Sequence, residues 1–549
     1  MVSCMFFAFS KTLYIQIFKK EETTIKQQKE IRGDRGIIFD RNGEKLAYDI
    51  EVCDIYLEGI KKNQFNSLKY FFRKHFNIEV KDFEELIASS KNKDHIMLIS
   101  AIPYKKIMEL EYILKDHPEI KVGKKYKGRY YPKKNIASQL IGKFSHNKNS
   151  KGLWGIELSM NEALKSKTGF LNHLVTSRGY KKEDFSNDEY KEISGQNIFL
   201  TIDLKYQRVL EEELMIQLEK TSSKSANGII VDPYSGEIIA LASVPGHDLN
   251  QKLFDGYEEK TRDYSTYYSY EPGSTLKPFS ILAGLTSGKI SLESEYYCEG
   301  GEYDVPNLPK KRTVVDHEPG FDTLSVKEIL AESSNIGVVK LSSDIGERDI
   351  YKTFKKFGFG EKTGLENYIE SSGKLVDIDK WDKHSLIAIP IGQGLLATNL
   401  QVAMAYSAIA NGGYLLEPKI IMSTEKKVSV IRQVADQEDL DLLVEALKMT
   451  VSKGTASSLH FENFCSYGKT GTAQVFDKKI GRYSDSIFIS SYASVFPCKK
   501  PKLVCVVSFL EPDKNMKYAS ETAVPAMKKI LHRILIEDQD LFEIADESK

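Results

Sequence analysis

Tyr270-Glu-Pro-Gly-Ser-Thr-Leu-Lys-Pro-Phe279 places a hydroxyl, Ser274, and an amine, Lys277, three residues apart at the start of a helix. A helix brings positions i and i+3 onto one face, so the lysine nitrogen can reach the serine oxygen. A free serine hydroxyl is a weak nucleophile, and a neutral amine beside it is one way to activate it. Pro272-Gly273 supplies a turn, and Pro278 falls in the first helical turn, where its missing N–H costs little. Phe279, Ile281, Leu282, Ala283 and Leu285 then read as a buried helix, whose N-terminus favours developing negative charge. The tetrapeptide alone is common. Ser90…Lys93, Ser145…Lys148, Ser371…Lys374 and Ser423…Lys426 also fit S-x-x-K, without a Pro-Gly turn before them or an apolar helix behind.

Two further segments give this serine its context. Ala331-Glu-Ser-Ser-Asn-Ile-Gly-Val-Val-Lys-Leu341 carries Ser333-Ser334-Asn335, an S-x-N at the head of an apolar helical run. Tyr467-Gly-Lys-Thr-Gly-Thr-Ala-Gln-Val-Phe476 carries Lys469-Thr470-Gly471-Thr472 at the start of a strand-like run. Ser90-Lys91-Asn92, Ser145-His146-Asn147 and Ser159-Met160-Asn161 double the first tripeptide, and Lys167-Thr168-Gly169 and Lys362-Thr363-Gly364 the second. Neither weighs much alone. The order S-x-x-K, S-x-N, K-T-G toward the C-terminus carries the weight.

With the three motifs in that order, the chain resembles the class B penicillin-binding proteins, the serine D,D-transpeptidases that cross-link bacterial peptidoglycan. The resemblance runs along nearly the whole chain. Arg35-Gly-Ile-Ile-Phe-Asp-Arg-Asn-Gly-Glu-Lys-Leu-Ala47 is similar to the first motif of the family's N-terminal pedestal. Arg129-Tyr-Tyr-Pro132, Leu140-Ile-Gly142 and Gly152-Leu-Trp-Gly-Ile-Glu-Leu158 resemble later pedestal motifs. Phe357-Gly-Phe-Gly360, Gly392-Gln-Gly394 and Ala410-Asn-Gly-Gly413 resemble landmarks of the catalytic half, and several of these favour the division (septal) branch over the elongation branch. Thr398-Asn-Leu-Gln401 departs from the family, with asparagine where proline is usual.

The resemblance implies a mechanism. Ser274 attacks the carbonyl between the last two D-alanines of a stem peptide, and Lys277 is its general base. That role requires a neutral amine, and burial and a second cation, Lys469, both push in that direction. Ser333 relays the proton to the leaving amine, and Asn335 holds the substrate's amide. Strand alternation puts Thr470 and Thr472 on one face, where their hydroxyls can bind the terminal carboxylate. Gly471 lets the substrate lie against the strand as an added edge pairing. The N–H groups of Ser274 and Thr472 form the oxyanion hole. A second strand's amine resolves the ester, no metal or organic cofactor is called for, and β-lactams acylate the same serine.

Composition is compatible with this reading. A chain of 549 residues forms two or more domains. Its 77 basic and 77 acidic residues balance, which gives no global pull toward nucleic acid. Cys4, Cys53, Cys298, Cys465, Cys498 and Cys505 show neither C-x-x-C nor paired zinc spacing, and free buried thiols are favoured over a structural disulfide. Met1 to Phe18 is apolar in bulk but short, is interrupted by Lys11, and is followed by Lys19 and Lys20. It is expected to be a membrane anchor whose recorded start clips a longer span, with an amphipathic surface helix as the alternative. The expected location is the cytoplasmic (inner) membrane, single-pass, with the bulk of the chain on the extracytoplasmic face. The expected partners are peptidoglycan stem peptides, β-lactams, a polymerising glycosyltransferase and other division proteins.

The expected division of the chain is an anchor over 1–18, a stalk over 19–31, a pedestal over 32–220, a transpeptidase domain over 226–538 and an acidic tail over 539–549. Thr221-Ser-Ser-Lys-Ser225 reads as a linker. Asn197 to Asp203 reads as a strand leading into an amphipathic helix over Leu204 to Lys220. Gly228 to Ala242 reads as a hairpin turning at Asp232-Gly236. Ser486-Ala493 and Leu503-Phe509 read as strands, and Glu521-Ile536 as a closing helix. The fold class expected is α+β: an antiparallel sheet flanked by helices, of the β-lactamase/transpeptidase type, behind an α/β pedestal. Tyr264 to Tyr270 reads equally as groove lining or packing, and Asp316-His317 as a loop pair rather than a catalytic dyad. A β-lactamase or carboxypeptidase would share the nucleophile without needing the long pedestal. A β-lactam sensor would carry several spans, and the intact motif residues argue against an idle division scaffold.

Overall fold

The hairpin read around Asp232-Gly236 consists of Ser225–Val231 (β1) and Ile238–Val244 (β2), paired antiparallel. In this computed structural model, residues 9–10, 25–60, 64–76, 78–90, 95–145, 151–175, 181–183, 193–251, 261–308, 311–423, 427–477 and 481–546 are described. Three C-terminal strands, Tyr467–Asp477 (β3), Arg482–Phe496 (β4) and Leu503–Leu510 (β5), complete a five-stranded antiparallel sheet in the order β2-β1-β5-β4-β3. Among the described residues the K-T-G strand β3 is therefore an edge.

Alternation along the central strands shows why the sheet needs helices on both faces. Ile229, Val231, Val504 and Val506 belong to one core, whereas Ile230, Cys505, Val507 and Phe509 belong to the other. Leu204–Lys220 (α1) and Ala523–Glu537 (α7) fill the second core. Between them in sequence lie Lys277–Thr286 (α2), Val326–Glu332 (α3), Asn335–Ile345 (α4), Asn399–Ala410 (α5) and Gln437–Ser452 (α6). These helices build the first core, and every residue of α5 is buried.

In the N-terminal part, the long strand Lys45–Glu58 pairs with Ile38–Phe39, His95–Pro103, Ile120–Val122 and Tyr126–Tyr130. The helices Phe65–Phe76 and Val80–Ser89 pack Phe71, Phe72 and Phe83 against Cys53, Ile55 and Leu57 of this sheet. Three landmark segments meet in one buried ionic cluster. Glu157 accepts from Arg35 Nε at 2.7 Å and from Arg129 Nε at 2.6 Å, and Arg129 also reaches Asp49 at 3.1 Å. Buried charges of this kind depend on mutual pairing.

Several local expectations shift. Only Ile198–Phe199 of the segment before α1 is a strand, parallel to Ile38–Phe39. The helix α1 has the expected bounds, with Asp203 accepting from Lys205 N at its N-cap, but it packs on the C-terminal sheet rather than on the pedestal. Thr221 to Ser225 is a turn that buries Thr221 and Ser223 and continues into β1, rather than a linker. The Thr221 hydroxyl donates to Gln217 O at 2.8 Å and contacts Ser223 Oγ at 2.7 Å. In the segment read as a helical or extended stalk, the extended form occurs: Ile25–Arg32 is a strand antiparallel to Thr168–Val175. Within the expected tail, Gln539–Asp546 is a helix that buries Leu541 and Ala545. Most of the anchor segment lies outside the described residues, and among the described residues no helix is long and apolar enough to cross a membrane.

Cys465 and Cys498 are joined in a disulfide, which overturns the expectation of free thiols for that pair. Sheet register is the cause: β3 and β4 run antiparallel from Tyr467↔Val495, which sets the flanking cysteines 5.3 Å apart at Cα. Cys53, Cys298 and Cys505 are buried thiols.

Candidate active site

Ser274 lies on a 3-10 turn, Gly273–Leu276, and Lys277 is the first residue of α2. In a 3-10 turn side chains at i and i+3 eclipse, so the serine and lysine face the same way more closely than an α-helical start would put them. The turn is held from three sides. Gly273 N donates to Gly392 O at 3.0 Å. The Tyr406 hydroxyl of α5 donates to Thr275 O at 2.8 Å. Below it, Phe279 packs on Phe357 and Phe359 with ring centroids 4.8 and 5.3 Å apart, which gives the Phe357-Gly-Phe-Gly360 landmark its structural meaning.

Lys277 is fully buried. Its Nζ donates to Ser333 O at 2.5 Å, Ser333 Oγ at 3.3 Å and Asn335 Oδ1 at 2.8 Å. The S-x-N segment thus supplies the acceptors of the lysine, and the lysine's hydrogen bonds go there rather than to Ser274. Ser333 makes this geometry by ending α3 in the left-handed region, at φ 62°, before α4 begins at Asn335. Burial lowers the Lys277 pKa to about 7, with the nearby Asp316 carboxylate opposing.

Lys469 is equally buried, with Nζ 3.1 Å from Thr470 Oγ1. Its pKa is held well below the usual ammonium range by burial first and by repulsion from Lys277 second, against the pull of Glu332. Burial is the first cause of the lowering at both amines, and repulsion between them adds to it. Thr470 Oγ1 lies 2.7 Å from Thr455 Oγ1, and Thr472 Oγ1 accepts from Ala519 N at 3.1 Å. Gly471 has a packing reason of its own. A Cβ there would stand 2.6 Å from Pro272 O and 2.9 Å from Thr275 Cγ2, so its missing side chain makes room for the Ser274 turn. All eight motif residues thus border one region where the 3-10 turn, the head of α4 and the edge strand meet.

Two residues of this region carry no motif in sequence. Thr455 follows α6 and pairs with Thr470, but a lone threonine has no signal in sequence. Asp316, set aside there as half of a loop pair, is buried; its carboxylate accepts from Ser334 Oγ at 2.7 Å and from the N–H groups of Asn335 and Ile336 at 2.5 and 3.0 Å. His317 instead meets Tyr518, with ring centroids 4.0 Å apart. Tyr270 is packing: buried, its hydroxyl donates to Asn399 Oδ1 at 2.7 Å. Asn399, the departure from the family pattern, also donates to Ser508 Oγ at 3.0 Å and ties α5 to β5.

A serine on a 3-10 turn, a lysine caged by the S-x-N segment and the K-T-G edge strand thus come together in one place. Residues 228–532 match the penicillin-binding protein transpeptidase domain and residues 30–200 the penicillin-binding protein dimerisation domain. The chain belongs to the penicillin-binding protein transpeptidase family. It is 26% identical to the peptidoglycan D,D-transpeptidase FtsI homolog of Mesostigma viride, over 97% of this chain and 95% of the relative. It is 27% identical to stage V sporulation protein D of Bacillus subtilis, over 92% and 78%. In fold it is similar to penicillin-binding protein 3 of Mycobacterium tuberculosis complexed with aztreonam, with a TM-score of 0.68 at 20% identity over 93% and 97% of the two chains. Penicillin-binding protein 2X of Streptococcus thermophilus gives 0.68 at 23% over 92% and 80%.

Proposed function

We propose that the chain is a serine D,D-transpeptidase that cross-links peptidoglycan stem peptides through an acyl-enzyme on Ser274, in septal wall synthesis, and that β-lactams acylate the same residue. The observation that carries this reading is Lys277, a fully buried amine with a pKa near 7, caged by Ser333 and Asn335 one helical step from Ser274. A base poised near the working pH is half neutral there and can take the serine proton. Ser333 Oγ, 3.3 Å from that amine, passes the proton to the departing D-alanine. The Asn335 side chain, anchored through its Nδ2 on Val315 O at 2.8 Å, positions the substrate amide. Among the described residues no strand pairs with the outer side of β3, so an extended peptide can add there as a further strand, with Thr470 and Thr472 taking the terminal carboxylate. The N–H groups of Ser274 and Thr472 stabilise the tetrahedral oxyanion, worth about 3 kcal/mol per donor. A second strand's amine then attacks the ester and frees the serine.

The anchor over 1–18, the extracytoplasmic placement, the division into a pedestal and a transpeptidase domain, and partnership with a glycosyltransferase and other division proteins belong to the same reading. The FtsI name of the Mesostigma viride relative supports the septal branch. Labelling the full chain with a fluorescent penicillin tests the chemistry. The wild type should label and Ser274→Ala should not; label retained in that variant would exclude Ser274 as nucleophile. Depletion that gives spheres rather than filaments would move the chain to the elongation branch.

A further inference from the structure

We propose that Asp316 is a positioning residue for acylation, which clamps the Ser333-Asn335 turn against Lys277 and acts on that lysine through its carboxylate. The proposal rests on Ser274 and Lys277 acting as nucleophile and base.

Asp316 follows the short strand Thr313–Val315 and is 6% exposed. Both its oxygens are used on the S-x-N segment, one by Asn335 N and Ile336 N and the other by Ser334 Oγ. A carboxylate over the first N–H groups of a helix is stabilised there by hydrogen bonds and by the helix dipole. The preceding carbonyl, Val315 O, accepts from Asn335 Nδ2, which turns Asn335 Oδ1 toward Lys277. Two consecutive residues thus fix both the position and the orientation of the lysine's acceptors.

The charge acts alongside the geometry. Lys277 is faced by Lys469 on β3 and by Asp316, while Glu332 of α3 faces Lys469 and Glu318 faces Glu332. Cys298 meets Asp316 across Ser334, and His317 is its neighbour in sequence. Within this set Asp316 favours the protonated amine, against burial. A neutral residue in its place should leave the base free at lower pH.

The test is the rate of penicillin acylation against pH for the full chain, its Asp316→Asn and Asp316→Ser variants, and Asp316→Glu. The acid limb of both neutral variants should move to lower pH by about one unit relative to wild type, whatever their maximal rate, while Asp316→Glu stays close to the wild-type midpoint. A purely structural carboxylate would lower the rate and leave the midpoint in place, and that result overturns the proposal. Failure of both neutral variants to fold overturns it as well, because Asp316 would then be a determinant of the fold. A wild type that does not label at all would sink the acyl-enzyme reading itself, a separate outcome from an unmoved midpoint in a protein that labels.

Discussion

A Cβ placed on Gly392 would stand 1.9 Å from the carbonyl oxygen of Gly273, the residue before the proposed nucleophile. The two glycines also share a hydrogen bond, Gly273 N to Gly392 O at 3.0 Å. Gly392 has φ 81° and Gly273 φ 57°, so both sit in the left-handed region that side chains disfavour. The loop Gly392-Gln-Gly394 is therefore the backstop of the Ser274 turn. Gly392→Ala should displace that turn, and a displacement near 1 Å at a reacting group costs about 100-fold in rate. Stopped-flow acylation by a penicillin reads this; a variant that folds and acylates at the wild-type rate would show that the backstop is dispensable.

Lys277 gives a pH dependence with a definite sign. Its folded pKa of about 7 lies below the ordinary 10.5. Below about pH 7 the amine is charged in the folded chain, so acylation should fall about tenfold per pH unit. Between about pH 7 and 10.5 the unfolded chain holds a proton that the folded chain lacks, so the contribution of this lysine to stability rises with pH across that window. Thermal melts should show the wild type gaining on Lys277→Met as pH rises from 7 to 10 in the same buffers. Parallel curves would mean that the amine titrates normally.

The Cys465–Cys498 bond closes a loop of 33 residues that contains the K-T-G strand. Loop-closure entropy alone assigns such a bond about 3 to 4 kcal/mol. Cys465→Ser should lower the melting temperature under oxidising conditions and remove its response to reductant. Equal melts of the wild type with and without reductant would show that the bond does not form in solution.

Much of this was legible in sequence, for reasons that differ residue by residue. The helix α1 is bounded as expected because Asp203 is a strong N-cap before an amphipathic run. The hairpin β1–β2 follows from two apolar runs about Asp232-Gly236. The three motifs were found because each is local. Asp316 and Thr455 were not, since each does its work through partners supplied by other segments. The cysteine pair escaped because its spacing carries no signature until the register of β3 and β4 is fixed. Gly471 carries a constraint that no local pattern shows: a Cβ there would meet Pro272 and Thr275, which come from another segment.

Lys469 leads to a prediction about ligand binding. The amine is buried beside Lys277 and is held well below the usual ammonium range by burial and by that neighbour's charge. Its Nζ lies 3.1 Å from Thr470 Oγ1, where the proposal puts the substrate's terminal carboxylate. An anion arriving there favours the protonated amine and raises its pKa, so binding should take up a proton. Ser274→Ala isolates this step because it binds without acylation. Calorimetry of that variant with a penicillin, in two buffers of different ionisation enthalpy, should give heats that differ by an uptake of up to one proton per ligand. Affinity should weaken as pH rises, and Ser274→Ala combined with Lys469→Met should bind with buffer-independent heat. Buffer-independent heat in Ser274→Ala itself would place the carboxylate away from Lys469 and remove Thr470 and Thr472 from its binding.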